Sequence, residues 1–252
     1  MTENVKDIMA CIGRDTSQGL SVLRHLFGFT RRRVPEDPDT SVRAEVSMLS
    51  AIRGVKNRHL HLDIIAVGWW NEFSDQDRED GRELLDYAVY RTRNIFDQVN
   101  LGVGRVDYWV IDQADADGAD DIDDRDEAED LIDDWTAGSG NALDCFVPRT
   151  ISASFIGVAP PKHDGVIAAA IDRGPEGFSR TFAHEIGHFL GLPHNHGGGE
   201  DCENCPGAAA SDNLMAQTRC ATCQGQGTRL AVELTGAQGT TMRGHDIVRD
   251  GC

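Results

Sequence analysis

A chain of 252 residues, 40% of them apolar, is long enough to bury a core as one large domain or two small ones. Its 42 Asp and Glu against 24 Lys and Arg give a net charge of -18, which argues against nucleic-acid binding because every phosphate contact would oppose the protein's own field. No apolar run approaches the ~18 residues of a membrane-spanning helix, so no membrane partner is expected.

Residues 1–40 carry no apolar period, and Arg31-Arg32-Arg33 followed by Pro35 and Pro38 reads as an N-terminal arm or extension. The opening segment, Met1 to Cys11, has no basic stretch followed by an apolar core. Secretion by a route without a visible signal peptide and a cytoplasmic location therefore both stay open. Residues 41–56 set Val42, Val46, Leu49 and Ile52 at three- and four-residue steps, the pattern of a short amphipathic helix. His61 to Val67 is a strand bounded by Gly68. Asp80 to Val99 is the best surface helix, with Leu85, Ala88, Thr92, Ile95 and Val99 on one stripe, widened by Leu84 and Phe96. Gly102 and Gly104 are expected to break it, and Arg105 to Ile111 follows as a second strand.

That strand runs into an anionic insert. Between Asp112 and Asp134 there are 13 acidic residues and one basic residue, Arg125, so the insert alone carries -12 and leaves -6 for the rest. Gly118 preceded by Asp115 and Asp117 resembles the tight turn of calcium loops, where alternating carboxylates converge on a hard cation. Three readings stand: an EF-hand register running from Gln113 to Asp124, which lacks the first Asp and the bidentate Glu; a looser calcium site using some of Asp112, Asp115, Asp117 and Asp121; or a solvated acidic loop or partly disordered segment. A helix within Asp123 to Asp134, with Leu131 and Ile132 touching the body, is a further reading, but unshielded repulsion argues against much helix there without a cation.

After the insert, Ala142 to Val147 and Ser152 to Val158 read as short strands, Gly165 to Ile171 as a third, and Phe178 to Leu190 as a helix. From Gly191 to Gly227 the chain is rich in Gly, Cys, Asn and Asp. A final helix lies within Leu234 to Arg249, with Thr235 as its cap and Gln238 in the reciprocal position.

Thr181 to His196 carries the strongest chemical signal. His184 and His188 are four apart, one turn above each other on the same helix face and within reach of one metal ion. Glu185 follows the first histidine and is placed to polarise a water on that ion. Gly191 adopts a positive φ without cost, stopping the helix and returning the chain so that His194 becomes a third nitrogen ligand. His196, two residues on, also lies within reach, but the spacing from Gly191 favours His194. Three protein ligands plus a water is the catalytic arrangement for zinc; a closed structural site would leave no water to activate.

HExxHxxGxxH, as it stands in His184 to His194, resembles the signature of the metzincin clan of zinc metallopeptidases. That resemblance implies a methionine turn beneath the zinc, and Ser211-Asp212-Asn213-Leu214-Met215-Ala216 matches it. Leu234-Thr235-Gly236-Ala237-Gln238 followed by Met242-Arg243 is similar to the segment opening the closing helix of the bacterial pappalysin-like branch. The resemblance covers residues 60–250 in layout, but its specific motifs only 181–196 and 211–243. It implies a substrate strand lying antiparallel to an upper-rim edge strand, for which Ser154 to Ala159 is the candidate. The clan's accessory tyrosine has no match, since Ala216 and Gln217 stand near that place.

Cys202-x2-Cys205 and Cys220-x2-Cys223 bracket Met215. They fit either two disulfides, as in secreted pappalysin-like enzymes, or a second, four-thiolate zinc, in partial similarity to archaemetzincins, whose cysteines are spaced differently. Cys11, Cys145 and Cys252 bring the total to seven, leaving at least one thiol free or paired between chains.

The fold class expected is α+β, a metzincin-like metalloprotease fold with a mixed twisted sheet, an active-site helix and an irregular C-terminal subdomain. Its catalytic domain would span 41–252, with an upper subdomain at 41–193 and a lower one at 194–252. The function expected is a zinc-dependent endopeptidase with His184, His188 and His194 as ligands, Glu185 as general base, and Gly191 and Met215 in structural roles. The partner would be a peptide or protein substrate, and the chain a monomer. Alternatives are a zinc-dependent amidase acting on a non-protein amide and a catalytically inactive metal-binding relative.

Overall fold

The computed structural model of the chain describes residues 58–68, 75–136, 142–161, 163–168, 174–195, 213–216 and 231–250. The N-terminal arm, the helix expected over 41–56, His196, and Cys11, Cys202, Cys205, Cys220, Cys223 and Cys252 lie outside the described residues.

A five-stranded sheet organises the fold, in the order β2-β1-β4-β7-β6. β1 (His59–Val67), β2 (Gly102–Ile111), β4 (Leu143–Pro148) and β7 (Gly165–Ala168) run parallel; β6 (Gly157–Val158) pairs antiparallel to β7 and forms one edge. β1 is buried along its whole length, as a central parallel strand covered on both faces must be. Alternation divides its side chains. Leu60, Leu62, Ile64 and Ala66 enter one core, and Ile65 and Val67 the other.

The first core is covered by α1 (Asp75–Asp97) and α3 (Gly174–Phe189). The stripe expected on α1 is the buried one: Leu85, Ala88, Thr92, Ile95 and Phe96 are each at most 2% exposed. Arg93 is buried with them. It donates to the carbonyls of Val103 (3.2 Å) and Gly104 (3.0 Å), tying the helix to β2, and burial lowers its pKa to about 10. The helix ends before the expected glycines. Asn100 takes the left-handed conformation (φ 54°), Leu101 N–H bonds Phe96 O and Asn100 N–H bonds Asp97 O, which closes the helix and leaves Gly102 to open β2.

The acidic insert corrects the expectation of a solvated loop with little helix. It contributes β3 (Asp121–Ile122), paired with β5 (Thr150–Ile151), and α2 (Arg125–Trp135). Local chemistry overcomes the repulsion. Asp124 caps α2 by accepting from Glu127 N–H (3.0 Å), and Glu127 accepts in return from Asp123 N–H (2.7 Å). Asp126 and Glu127 sit in the first turn, where negative charge suits the helix dipole. Arg125 pairs with Glu129 one turn on, and His163 approaches Glu129 and Asp133 from the turn before β7. The apolar face, Ala128, Leu131 and Ile132, joins Ile122, Phe146 and Ile167 to cover the second face of the sheet. The insert is thus a structural layer with its charges turned outward.

The four carboxylates considered for calcium do not converge. Among the described residues, the one group of three or more ligand-type side chains gathered around a common point is His184, His188 and His194. Asp121 instead accepts from Ser152 Oγ (2.8 Å), and the neighbouring Asp120 is held by Arg149 (3.3 Å) and Gln113 (3.1 Å).

The strand expected over Ser152 to Val158 is shorter than its sequence pattern: only Gly157 and Val158 pair, and the residues before them are irregular. The closing helix, α4 (Gly236–Arg243), forms inside the expected range with the full capping box of Thr235 and Gln238.

Candidate metal centre

α3 carries the histidine motif and ends as the glycine requires. Gly191 has φ +90°, Leu192 N–H bonds Gly187 O (3.0 Å) and Gly191 N–H bonds His188 O (2.9 Å), the two bonds of a Schellman stop. The chain then doubles back, and Asn195 N–H bonds Met215 O (3.1 Å), which holds His194 over the helix.

Three imidazoles converge there. His194 Nε2 lies 3.3 Å from His184 Nε2 and 3.0 Å from His188 Nε2. The other ring nitrogens of the two helical histidines are occupied: His184 Nδ1 is 2.7 Å from Leu214 O and His188 Nδ1 is 2.7 Å from Leu192 O. A carbonyl only accepts, so both Nδ1 atoms carry the proton and both Nε2 atoms present lone pairs to one point. Two lone pairs at such range repel unless a cation stands between them. Nitrogens about 2.0–2.1 Å from a tetrahedral zinc sit about 3.3 Å apart, so the donor set and its spacing fit that ion. Burial lowers the pKa of His184 to about 3, and burial also holds His188 below the usual imidazole value, which favours the neutral rings that ligation requires.

Met215 is fully buried beneath the site. A Cβ placed on Gly187 would lie 2.8 Å from Met215 Sδ, so the absence of a side chain within the motif lets the sulfur pack directly under the helix. The short segment bearing Met215 is held by side chains. Asn213 Oδ1 accepts from Met215 N–H (3.0 Å), and its amide exchanges two bonds with the Gln238 amide (2.9 and 3.0 Å). Gln238 Oε1 also accepts from Thr235 N–H (2.9 Å), so one side chain both caps α4 and anchors the methionine turn.

Glu185 is 5% exposed and points toward the edge strand: a Cβ on Gly157 would stand 2.8 Å from both its Cγ and its Oε1. Burial raises its pKa to about 8, against the opposing pull of the Arg180 cation. A dication beside it would favour the carboxylate.

Every described residue proposed for the catalytic zinc is thus in place: His184, His188 and His194 converge, Gly191 turns the chain, and Met215 forms the floor. Sequence reasoning missed Arg180, Gly157 and Gly187. Arg180 was detectable as a cation one turn before His184 on an otherwise buried face. The two glycines gave no signal, because what they permit is contact with residues far off in sequence.

Residues 127–237 match the model of the Peptidase_M43 family, described as pregnancy-associated plasma protein-A. No curated protein matches the chain in sequence. Of 67 matching chains among solved structures, one is archaemetzincin from Methanopyrus kandleri, 12% identical, covering 73% of this chain and 94% of that one with a TM-score of 0.42. Another, described as a chaperone-substrate complex, is 12% identical and covers 56% of this chain with a TM-score of 0.37; this chain spans 25% of its length. The chain has a mixed α+β fold with a twisted sheet, an active-site-like helix and a histidine triad over a buried methionine, consistent with a metzincin-like arrangement. The site is compatible with one zinc ion and with zinc-dependent hydrolysis.

Proposed function

We propose that the chain is a zinc-dependent endopeptidase with Glu185 as its general base. The observation that carries this is the convergence of three histidines on one point, with Glu185, the residue after His184, packed against Gly157 of the edge strand β6. A peptide laid antiparallel to β6 would find main-chain partners on that edge and pass over Glu185. The three Nε2 atoms would hold a zinc ion, which would supply Lewis acidity to a carbonyl and lower the pKa of a water. Glu185 takes the proton at its carboxylate and delivers it to the leaving amine nitrogen. The buried wall around Glu185 excludes bulk water, which strengthens the attraction between the developing charges and their partners. His184 and His188, locked through Nδ1, hold their rings fixed while charge changes beside them.

The test is cleavage of a mixed-sequence peptide pool by chain stripped with a chelator and then reloaded with zinc. Cuts within the peptides, lost on stripping and restored by zinc, support the proposal. Full zinc loading with no cleavage of any peptide, but release of ammonia or amine from small amides, would favour the amidase instead.

A further inference from the structure

Arg180 lies one turn before His184 on α3 and is buried. Its guanidinium donates from Nε to Ala231 O (3.3 Å) and from Nη2 to Leu214 O (2.9 Å) and Ala216 O. Two of those carbonyls flank Met215. The Leu214 oxygen is also the acceptor for His184 Nδ1 (2.7 Å). A carbonyl oxygen has two lone pairs, and at Leu214 one faces the arginine and the other the imidazole.

We propose that Arg180 is a positioning residue of the metal centre: by fixing the Leu214 carbonyl, it sets the tautomer and ring plane of His184. The remaining bonds of the methionine segment show why such a clamp is needed. Leu214 N–H bonds Glu233 O (2.8 Å), while Met215 N–H bonds Asn213 Oδ1 and Ala216 N–H bonds Asn213 O (3.0 Å) within the segment, so none of these amides bonds to α3. The carbonyls of Leu214 and Ala216 face inward to α3, where Arg180 reaches both. With Arg180 removed, the histidine that the Leu214 carbonyl is meant to orient is, among the described residues, the one side chain still bonded to it. Arginine suits the task because its rigid fork serves three carbonyls from one stem, where a lysine offers a single point charge. The inference rests on His184 as a metal ligand and not on which bond is cleaved.

The experiment compares wild type, Arg180→Met and Arg180→Lys in zinc affinity, by chelator competition, and in the visible spectrum of the cobalt-loaded protein. Val103→Ala, a core truncation in β2, controls for loss of stability alone. Partners one step beyond a ligand are typically worth about 10–100-fold in metal affinity, and about tenfold is expected for Arg180→Met, with Arg180→Lys intermediate. The cobalt bands should shift in both, and kcat should fall with KM unchanged. Val103→Ala should leave affinity and spectrum at wild-type values. Where Arg180→Met does not fold, Arg180→Lys decides by the same two readouts. Wild-type zinc affinity and cobalt bands in the folded arginine variants would overturn the proposal, as would equal weakening by Val103→Ala. A wild-type chain that binds no zinc would overturn the metal-centre reading itself, whereas tight zinc binding without peptide cleavage would overturn only the peptidase reading.

Discussion

Replacing Gly157 by alanine tests the catalytic geometry without touching a ligand. The added Cβ would stand 2.8 Å from Glu185 Cγ and Oε1 and 3.0 Å from its Cδ. Carbon contacts are comfortable at about 3.5–4.0 Å, so roughly 0.7–1.2 Å must be found. β6 cannot readily give, because Gly157 and Val158 pair with Ala168 and Ile167 of β7. Gly157 is outside the positive-φ region, so backbone strain contributes nothing and the carboxyl must move. A displacement of about 1 Å at a reacting group costs on the order of 100-fold, or about 2.7 kcal/mol in the barrier. The assay is kcat/KM on a fluorogenic peptide with zinc content measured on the same preparation. The expected result is a loss of about 100-fold at full zinc occupancy. Activity within twofold of wild type would refute the placement of Glu185 beside the edge strand as the catalytic arrangement.

Other consequences follow from the same structure. Gly191→Ala keeps ample space, its nearest neighbour being Thr241 Cγ2 at 3.5 Å, but forces a left-handed alanine at φ +90°; unfolding should show a loss of about 1–2 kcal/mol, with weaker zinc binding as His194 drifts. Gln238→Ala removes the partner of Asn213 together with half of the capping box, and denaturant unfolding should fall by about 1–3 kcal/mol. Burial holds the His61 pKa down to about 3, with the neighbouring His59 adding to the effect. The native chain therefore binds fewer protons than the unfolded one below pH 6.5, and stability falls as the pH drops from 6.5 toward 3. His61→Asn, which keeps an acceptor for the Arg105 N–H now bonded to Nδ1 (3.0 Å), should flatten that part of a plot of Tm against pH.

How far this could be read from the chain depends on the range of the interactions involved. The triad was legible because its geometry is local: four residues make a turn, and one glycine makes the return to His194. The α1 stripe was legible for the same reason. The acidic insert was legible only in part: Leu131 and Ile132 pointed to a helix face against the body, but like-charge repulsion was weighed above it without the cap at Asp124. The strand over Ser152 to Val158 was overextended since composition does not reveal where pairing stops. Arg180 and Gly157 act through residues dozens of positions away, Leu214 and Ala216 in one case and Glu185 in the other. No pattern within a short window contains such information.

In the proposed centre, three histidines hold a metal for which Glu185 is the base. Its most direct test is turnover of a peptide substrate by zinc-loaded Glu185→Gln, with metal content measured beside wild type. One zinc at the histidine site is expected in both, with a loss of about 10²–10⁴-fold in kcat for the variant. Zinc retained with kcat near wild type would contradict it.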